Sequence, residues 1–194
     1  MSSVSAPPRR NRTTLILIFA MFIAPVVLAW LLANGHIGLA GHKRLNHGAL
    51  LSPPIDLRAY PDTPALGALR GLPPAAWAVV YVGPSACAED CARVLRELAV
   101  IRTLVGNEGT RVSVFGLVAK EASRSDPTLP RILTDPLSVA ALGKDLANRG
   151  PEVTLPLIAF LDWRGQVMMH FSPDAPPADI KEDLQRLLRA SAIR

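Results

Sequence analysis

Apolar and polar positions divide the chain into three stretches with different rhythms. Residues 15–32, LILIFAMFIAPVVLAWLL, carry no charge, and the Trp30 indole is their one hydrogen-bonding side chain. A hydrocarbon core about 30 Å thick takes about 20 helical residues to cross, so this run predicts a transmembrane helix over 13–33. Pro25 in mid-span kinks such a helix more often than it ends one. The rhythm then dissolves into Gly35, Gly38, Gly41 and Gly48, followed by Pro53-Pro54, Pro61, Pro64 and Pro73-Pro74. That composition predicts a stalk and lead-in over 34–74, with Ile55-Asp56-Leu57 long enough for a short edge strand.

Regular patterning returns after Pro74. WAVVYV at 77–82 is an apolar run of strand formers closed by Gly83-Pro84, the pattern of a buried central strand. Cys91, Val94, Leu95, Leu98, Ile101, Leu104 and Val105 then recur at spacings of mostly three and four, giving a helix with one buried face. VSVFGLV at 112–118 is a second buried strand, 119–134 is polar and proline-bearing and is expected to be loop, and Asp135-Pro136 opens a helix that runs to about Asn148. LIAFL at 157–161, the turn Asp162-Trp163-Arg164-Gly165 and QVMMHF at 166–171 form a hairpin, and Ile180, Leu184, Leu187 and Leu188 mark a last helix over about 177–192.

The resulting order, β-α-β-α-β-β-α, predicts an α/β chain with a thioredoxin-like fold over 75–194 and one N-terminal transmembrane helix. Thioredoxin-like proteins keep a cis-proline facing their cysteines before the third strand, and Pro156 occupies that place.

Charge refines the picture. The chain holds 21 Lys and Arg against 16 Asp and Glu, a formal net charge of +5. Arg9, Arg10 and Arg12 precede the apolar run, and the first acid is Asp56, so three of those five excess charges belong to the N-terminal segment. Denser positive charge before the span predicts residues 1–12 on the cytoplasmic side and 75–194 outside, in the periplasm of a bacterial inner-membrane protein. A cleaved signal peptide is the alternative, but the run exceeds the usual h-region and no small-x-small site closes it. With an excess of only two charges beyond the span and no basic cluster interleaved with aromatics, nucleic acid is not an expected partner. No phosphate-binding glycine loop, Ser-His-Asp set or His-Glu-x-x-His segment is present either, so no nucleotide or hydrolase chemistry is expected.

The two cysteines carry the chemistry. Cys87-Ala-Glu-Asp-Cys91 places an i,i+4 pair at a helix start, where one face brings the Cα atoms within disulfide range. Reduced, the pair offers two thiolates to one soft metal ion, and the helix dipole favours thiolate in either use, partly opposed by Glu89 and Asp90. A structural bridge is the bland reading, although closing so small a loop removes little unfolded-state entropy; unpaired remnants are the other.

The span, the strand-turn-cysteine run YVGPSACAEDC and the hairpin LIAFLDWRGQV together resemble the Sco/SenC family over about residues 50–192. Its members are membrane-anchored, thioredoxin-like proteins of cytochrome c oxidase assembly. The resemblance implies copper (Cu) held by both cysteines and one distant histidine, then passed to the dinuclear copper site of an oxidase subunit, or reduction of that subunit's thiols. Cys87 and Cys91 carry over directly. The stretch 148–155, where the family places its histidine, contains none, and Ala92 stands where the family has proline, which marks a divergent member.

His170, beside Met168 and Met169, is the remaining candidate for a third metal ligand, with methionine as core filler the plainer reading. His36, His42 and His47, six and five residues apart, match no local ligand spacing and read as solvated linker residues, and Trp30 reads as an interface anchor. The expected function is that of a periplasmic accessory factor in cytochrome c oxidase biogenesis. It would handle copper or exchange thiols and disulfides through Cys87, the more exposed thiol, and Cys91. Its partner would be an oxidase subunit or another oxidase assembly factor. A non-catalytic tethered scaffold and a general periplasmic thiol oxidoreductase are the alternatives, the latter disfavoured by C-x-x-x-C in place of C-x-x-C.

Overall fold

Trp77, Val79 and Tyr81 alternate with Ala78, Val80 and Val82, and all six are buried, so the strand they form has core on both faces. The computed structural model describes residues 10–33, 46–121, 126–149 and 153–191. It comprises two units, Met1–Leu45 and Asn46–Arg194. In the first, α1 (Arg10–Ala33) is an uninterrupted helix that contains Pro25. Its segment Thr14–Leu31 has a mean hydropathy of 2.6, long and apolar enough to cross a membrane. Residues 1–9 and 34–45, with the expected cytoplasmic tail, much of the stalk, His36 and His42, lie outside the described residues.

The second unit runs β1 (Ala49–Asp56), α2 (Pro64–Arg70), β2 (Trp77–Ala86), α3 (Glu89–Leu104), β3 (Val112–Lys120), β4 (Arg131–Thr134), α4 (Pro136–Ala147), β5 (Leu157–Asp162), β6 (Gln166–Phe171) and α5 (Pro177–Ser191). Its sheet has the order β1-β6-β5-β2-β3-β4. β2, β3 and β4 run parallel, whereas β5 is antiparallel to β2, β6 to β5, and β1 to β6. One layer joins Val80, Val82, Leu117 and Ala159 to Leu66 and Leu69 of α2 and Leu142 of α4. The other joins Val79, Tyr81, Val114 and Phe160 to Val94, Leu95 and Leu98 of α3 and Leu184 of α5. This is the thioredoxin-like α/β architecture.

Three expectations are corrected. The folded unit begins at Asn46, not at residue 75, because β1 and α2 lie in the expected stalk. Prolines at 53 and 54 are tolerated since β1 is an edge strand, whose register is interrupted between Leu50 and Ile55. α2 opens on Thr63, whose hydroxyl accepts from the Leu66 N–H at 3.1 Å, with Pro64 in the first turn. The expected loop over 119–134 likewise ends in β4, a four-residue edge strand that buries Leu133 and leaves Arg131 and Thr134 exposed. β2 also continues past Gly83-Pro84, since Ala86 pairs with Lys120.

Candidate functional site

The candidate site forms where β2 hands over to α3. Only Cys87 and Ala88 separate the two elements, and Ala88 is the extended N-cap residue of the helix. Cys87 therefore lies just outside the helix, not on its first turn as the i,i+4 reading placed it, while Cys91 lies inside that turn. The two are nonetheless joined as a disulfide, with Cα atoms 5.2 Å apart. Cys91 is 3% exposed and packs in the layer of α3 and α5, whereas Cys87 is half-buried at its edge. The bond thus has one sulfur near solvent and one facing the core. Glu89 and Asp90 are exposed beside it, and Glu89 Oε1 accepts from Arg96 Nη2 at 3.0 Å.

Tyr81 was not singled out from the sequence. It shares the buried layer with Cys91, and a Cβ on Gly83 would stand 2.8 Å from its ring. Burial pushes the Tyr81 hydroxyl pKa up, and the negative charge of Asp90 adds to the effect, so the group stays a protonated donor. The sequence signal was present as Tyr-x-Gly at the end of a strand, a spacing that leaves room for a ring to lie along the backbone.

Pro156 follows a cis peptide bond from Leu155 and precedes β5. Leu157 pairs with Val82, so Pro156 enters beside the end of β2 that leads to Cys87. His170 is not brought to the cysteines. The β5–β6 pairing shifts register between Phe160 and Leu161 of β5, so Met168 is an extra residue in β6 and His170 pairs with Ala159. Ala159 belongs to the α2 and α4 layer, across the sheet from Cys91, whereas Met169 and Phe171 face the cysteine layer. His170 is half-buried, and that burial lowers its pKa. His47 is exposed, as expected, but it belongs to the folded unit and not to a linker: its Nε2 lies 3.2 Å from Glu182 Oε2 and its Nδ1 3.6 Å from Asp179 Oδ1.

A family model described as transmembrane-like, thioredoxin-like, C-terminal domain matches residues 77–191, more than half of the chain, and a transmembrane-like N-terminal domain model matches residues 6–36. The chain belongs to this transmembrane-like, thioredoxin-like family. No curated protein matches the sequence. Among solved structures, the chain is similar to copper-bound ScoI from Bradyrhizobium japonicum, at 17% identity over 63% of this chain and 88% of that one, with a TM-score of 0.40. Apo Sco1 from Thermus thermophilus aligns at 17% identity over 77% and 99%, TM-score 0.45. The thioredoxin domain of a thiol-disulfide oxidoreductase from Bacteroides vulgatus aligns at 14% over 73% and 93%, TM-score 0.40.

Within this thioredoxin-like family domain the donor set does not fit the three-ligand copper site that the Sco/SenC resemblance implies. Reduced, Cys87 and Cys91 would supply two of the three ligands, but His170 is on the other face of the sheet. Among the described residues no three His, Cys, Asp or Glu side chains converge as metal ligands.

Proposed function

We propose that the protein is a membrane-tethered accessory factor in cytochrome c oxidase biogenesis that exchanges disulfides with a partner's cysteines through Cys87 and Cys91. The observation that carries this reading is the Cys87–Cys91 disulfide at the strand-to-helix turn of a thioredoxin-like domain. α1 would hold it in a bacterial inner membrane with residues 1–12 in the cytoplasm and the folded unit in the periplasm. The arginines at 9, 10 and 12 support that orientation, and an oxidising compartment suits a standing disulfide. The sequence resemblance to Sco/SenC proteins supports an oxidase subunit or another oxidase assembly factor as the partner.

A partner thiol loses its proton to solvent, and its thiolate attacks Cys87 Sγ, forming a mixed disulfide while the Cys87–Cys91 bond breaks and its electron pair leaves on Cys91. The partner's second thiolate then attacks its own sulfur in the mixed disulfide and releases Cys87. Two electrons pass to the protein, which takes up two protons as a dithiol, and the partner becomes a disulfide. In reverse, the dithiol form reduces a partner disulfide. Copper enters no step, because the residues present do not assemble its third ligand.

The test uses the full chain in detergent and a peptide carrying the two copper-site cysteines of the oxidase subunit joined as a disulfide, which the Cys87 thiolate of a Cys91→Ser chain can attack. Cys91→Ser should accumulate a mixed disulfide at Cys87, visible by mass spectrometry, and Cys87→Ser should give far less. If neither variant traps the peptide and the wild-type disulfide equilibrates with no dithiol, exchange is overturned and the scaffold reading takes its place.

A further inference from the structure

Attack at Cys87 leaves negative charge on Cys91, whose side chain belongs to the buried layer that also holds Val79, Val94, Leu95 and Leu98. Desolvation penalises a thiolate in such a layer, and the N–H groups of the first turn of α3 offset only part of that. Two side chains of the layer carry a polar group on a ring, Trp77 and Tyr81. The Trp77 indole donates to Ser191 Oγ at 3.1 Å, at the other end of β2. The Tyr81 hydroxyl enters no hydrogen bond among the described residues.

The direction of that hydroxyl follows from Gly83. Tyr81 and Gly83 are two residues apart and share a face of β2. A Cβ on Gly83 would stand 2.8 Å from Tyr81 Cε1, 3.4 Å from its hydroxyl oxygen and 3.5 Å from Cζ. The far half of the ring therefore lies over the glycine, and the hydroxyl leads along the strand toward Cys87. Asp90, next to Cys91, is near enough for its charge to act on the same hydroxyl. Only glycine at position 83 permits this path.

We infer that the Tyr81 hydroxyl donates a hydrogen bond to Cys91 Sγ as that sulfur leaves as a thiolate, which makes Tyr81 a catalytic residue of this disulfide. The assignment rests on the exchange reading given above and extends it from the cysteine pair to the group that stabilises its leaving sulfur. Partner thiolate and Cys87 form the new bond, the Cys87–Cys91 bond breaks, and the electron pair stays on Cys91 under the Tyr81 O–H. The proton remains on tyrosine, and Cys91 takes its own from solvent when the dithiol forms.

The measurement is the thiolate absorbance of Cys91 against pH in the full chain, with Cys87→Ala leaving a single thiol. Adding Tyr81→Phe, which keeps the ring over Gly83 and removes the hydroxyl, should raise the titration midpoint by about one pH unit, the size of one charge-assisted hydrogen bond. Replacing tyrosine with 3-fluorotyrosine, a stronger donor that retains the ring, should lower it; the chain's other tyrosine, Tyr60, is bonded to Asp145 and lies against the opposite layer. If both midpoints match the parent's, the assignment is overturned. The outcome is separable from exchange itself: a mixed disulfide at Cys87 with unmoved midpoints removes Tyr81 alone, while moved midpoints with no mixed disulfide remove exchange and leave the hydrogen bond.

Discussion

His170 shows how one extra residue in a strand reassigns a side chain. Strict alternation along 166–171 groups Gln166, Met168 and His170, but the register shift turns Met168 toward the cysteine layer and His170 toward Ala159. In that half-buried place, burial holds the His170 pKa below its ordinary 6.5. The folded state then binds this proton less readily than the unfolded chain does. Its contribution to stability is complete above pH 6.5 and is lost as pH falls through that value toward the lowered folded one. His170→Gln should therefore flatten the decline in urea-unfolding midpoint between about pH 7 and pH 5 that the parent chain shows. An unchanged slope would mean that the site does not keep the imidazole neutral.

The helices α2 and α4 start on polar caps that also tie them to one another. Asp135 caps α4, accepting from the Ser138 N–H at 3.0 Å and from Ser138 Oγ at 2.5 Å, while Thr63 Oγ1, the N-cap residue of α2, donates to the same carboxylate at 2.5 Å. Burial acts to raise the Asp135 pKa, but these donors outweigh it and hold the carboxyl below its ordinary range. The contribution is therefore present at neutral pH and is lost only as acid protonates the group below about pH 3.8. Asp135→Ala removes one cap and strands two hydroxyl donors, and should cost about 2 kcal/mol or more in urea unfolding at pH 7. Asp135-Pro136 was legible as a helix start in the sequence; its bond to Thr63 was not, because the two residues lie 72 positions apart.

At the scale of the whole molecule, the sheet is completed by residues that the local pattern assigned to a stalk. Leu51, Ile55, Leu57, Leu66 and Leu69 are all buried in the α2 and α4 layer. The unit is also closed at its start by Asp183 on α5, 1% exposed, which accepts from the His47 and Gly48 N–H groups at 2.7 and 2.9 Å. A chain starting at residue 75 loses these five large buried side chains, at roughly 2 kcal/mol each, against a net stability of about 5–15 kcal/mol for a typical domain. Such a chain should fail to give a cooperative unfolding transition, whereas one starting at residue 46 should retain it. Equal cooperativity from both would place the core wholly within the later segment.

The sequence by itself determined what depends on near neighbours: the apolar run of α1, the stripe of α3, the buried strands β2, β3 and β5, and the cysteine pair, whose spacing bounds the distance between its Cα atoms. Such features follow from periods of two and 3.6 residues and need no knowledge of what packs against them. Tertiary structure decided what depends on distant partners. Proline-bearing β1 and four-residue β4 are strands because existing edges supply their hydrogen bonds. The shift at Met168 sends His170 away from the cysteines, and the space over Gly83 turns an ordinary core tyrosine toward them. In each case the deciding contact joins groups whose proximity the fold creates, so no local pattern in the chain could fix it.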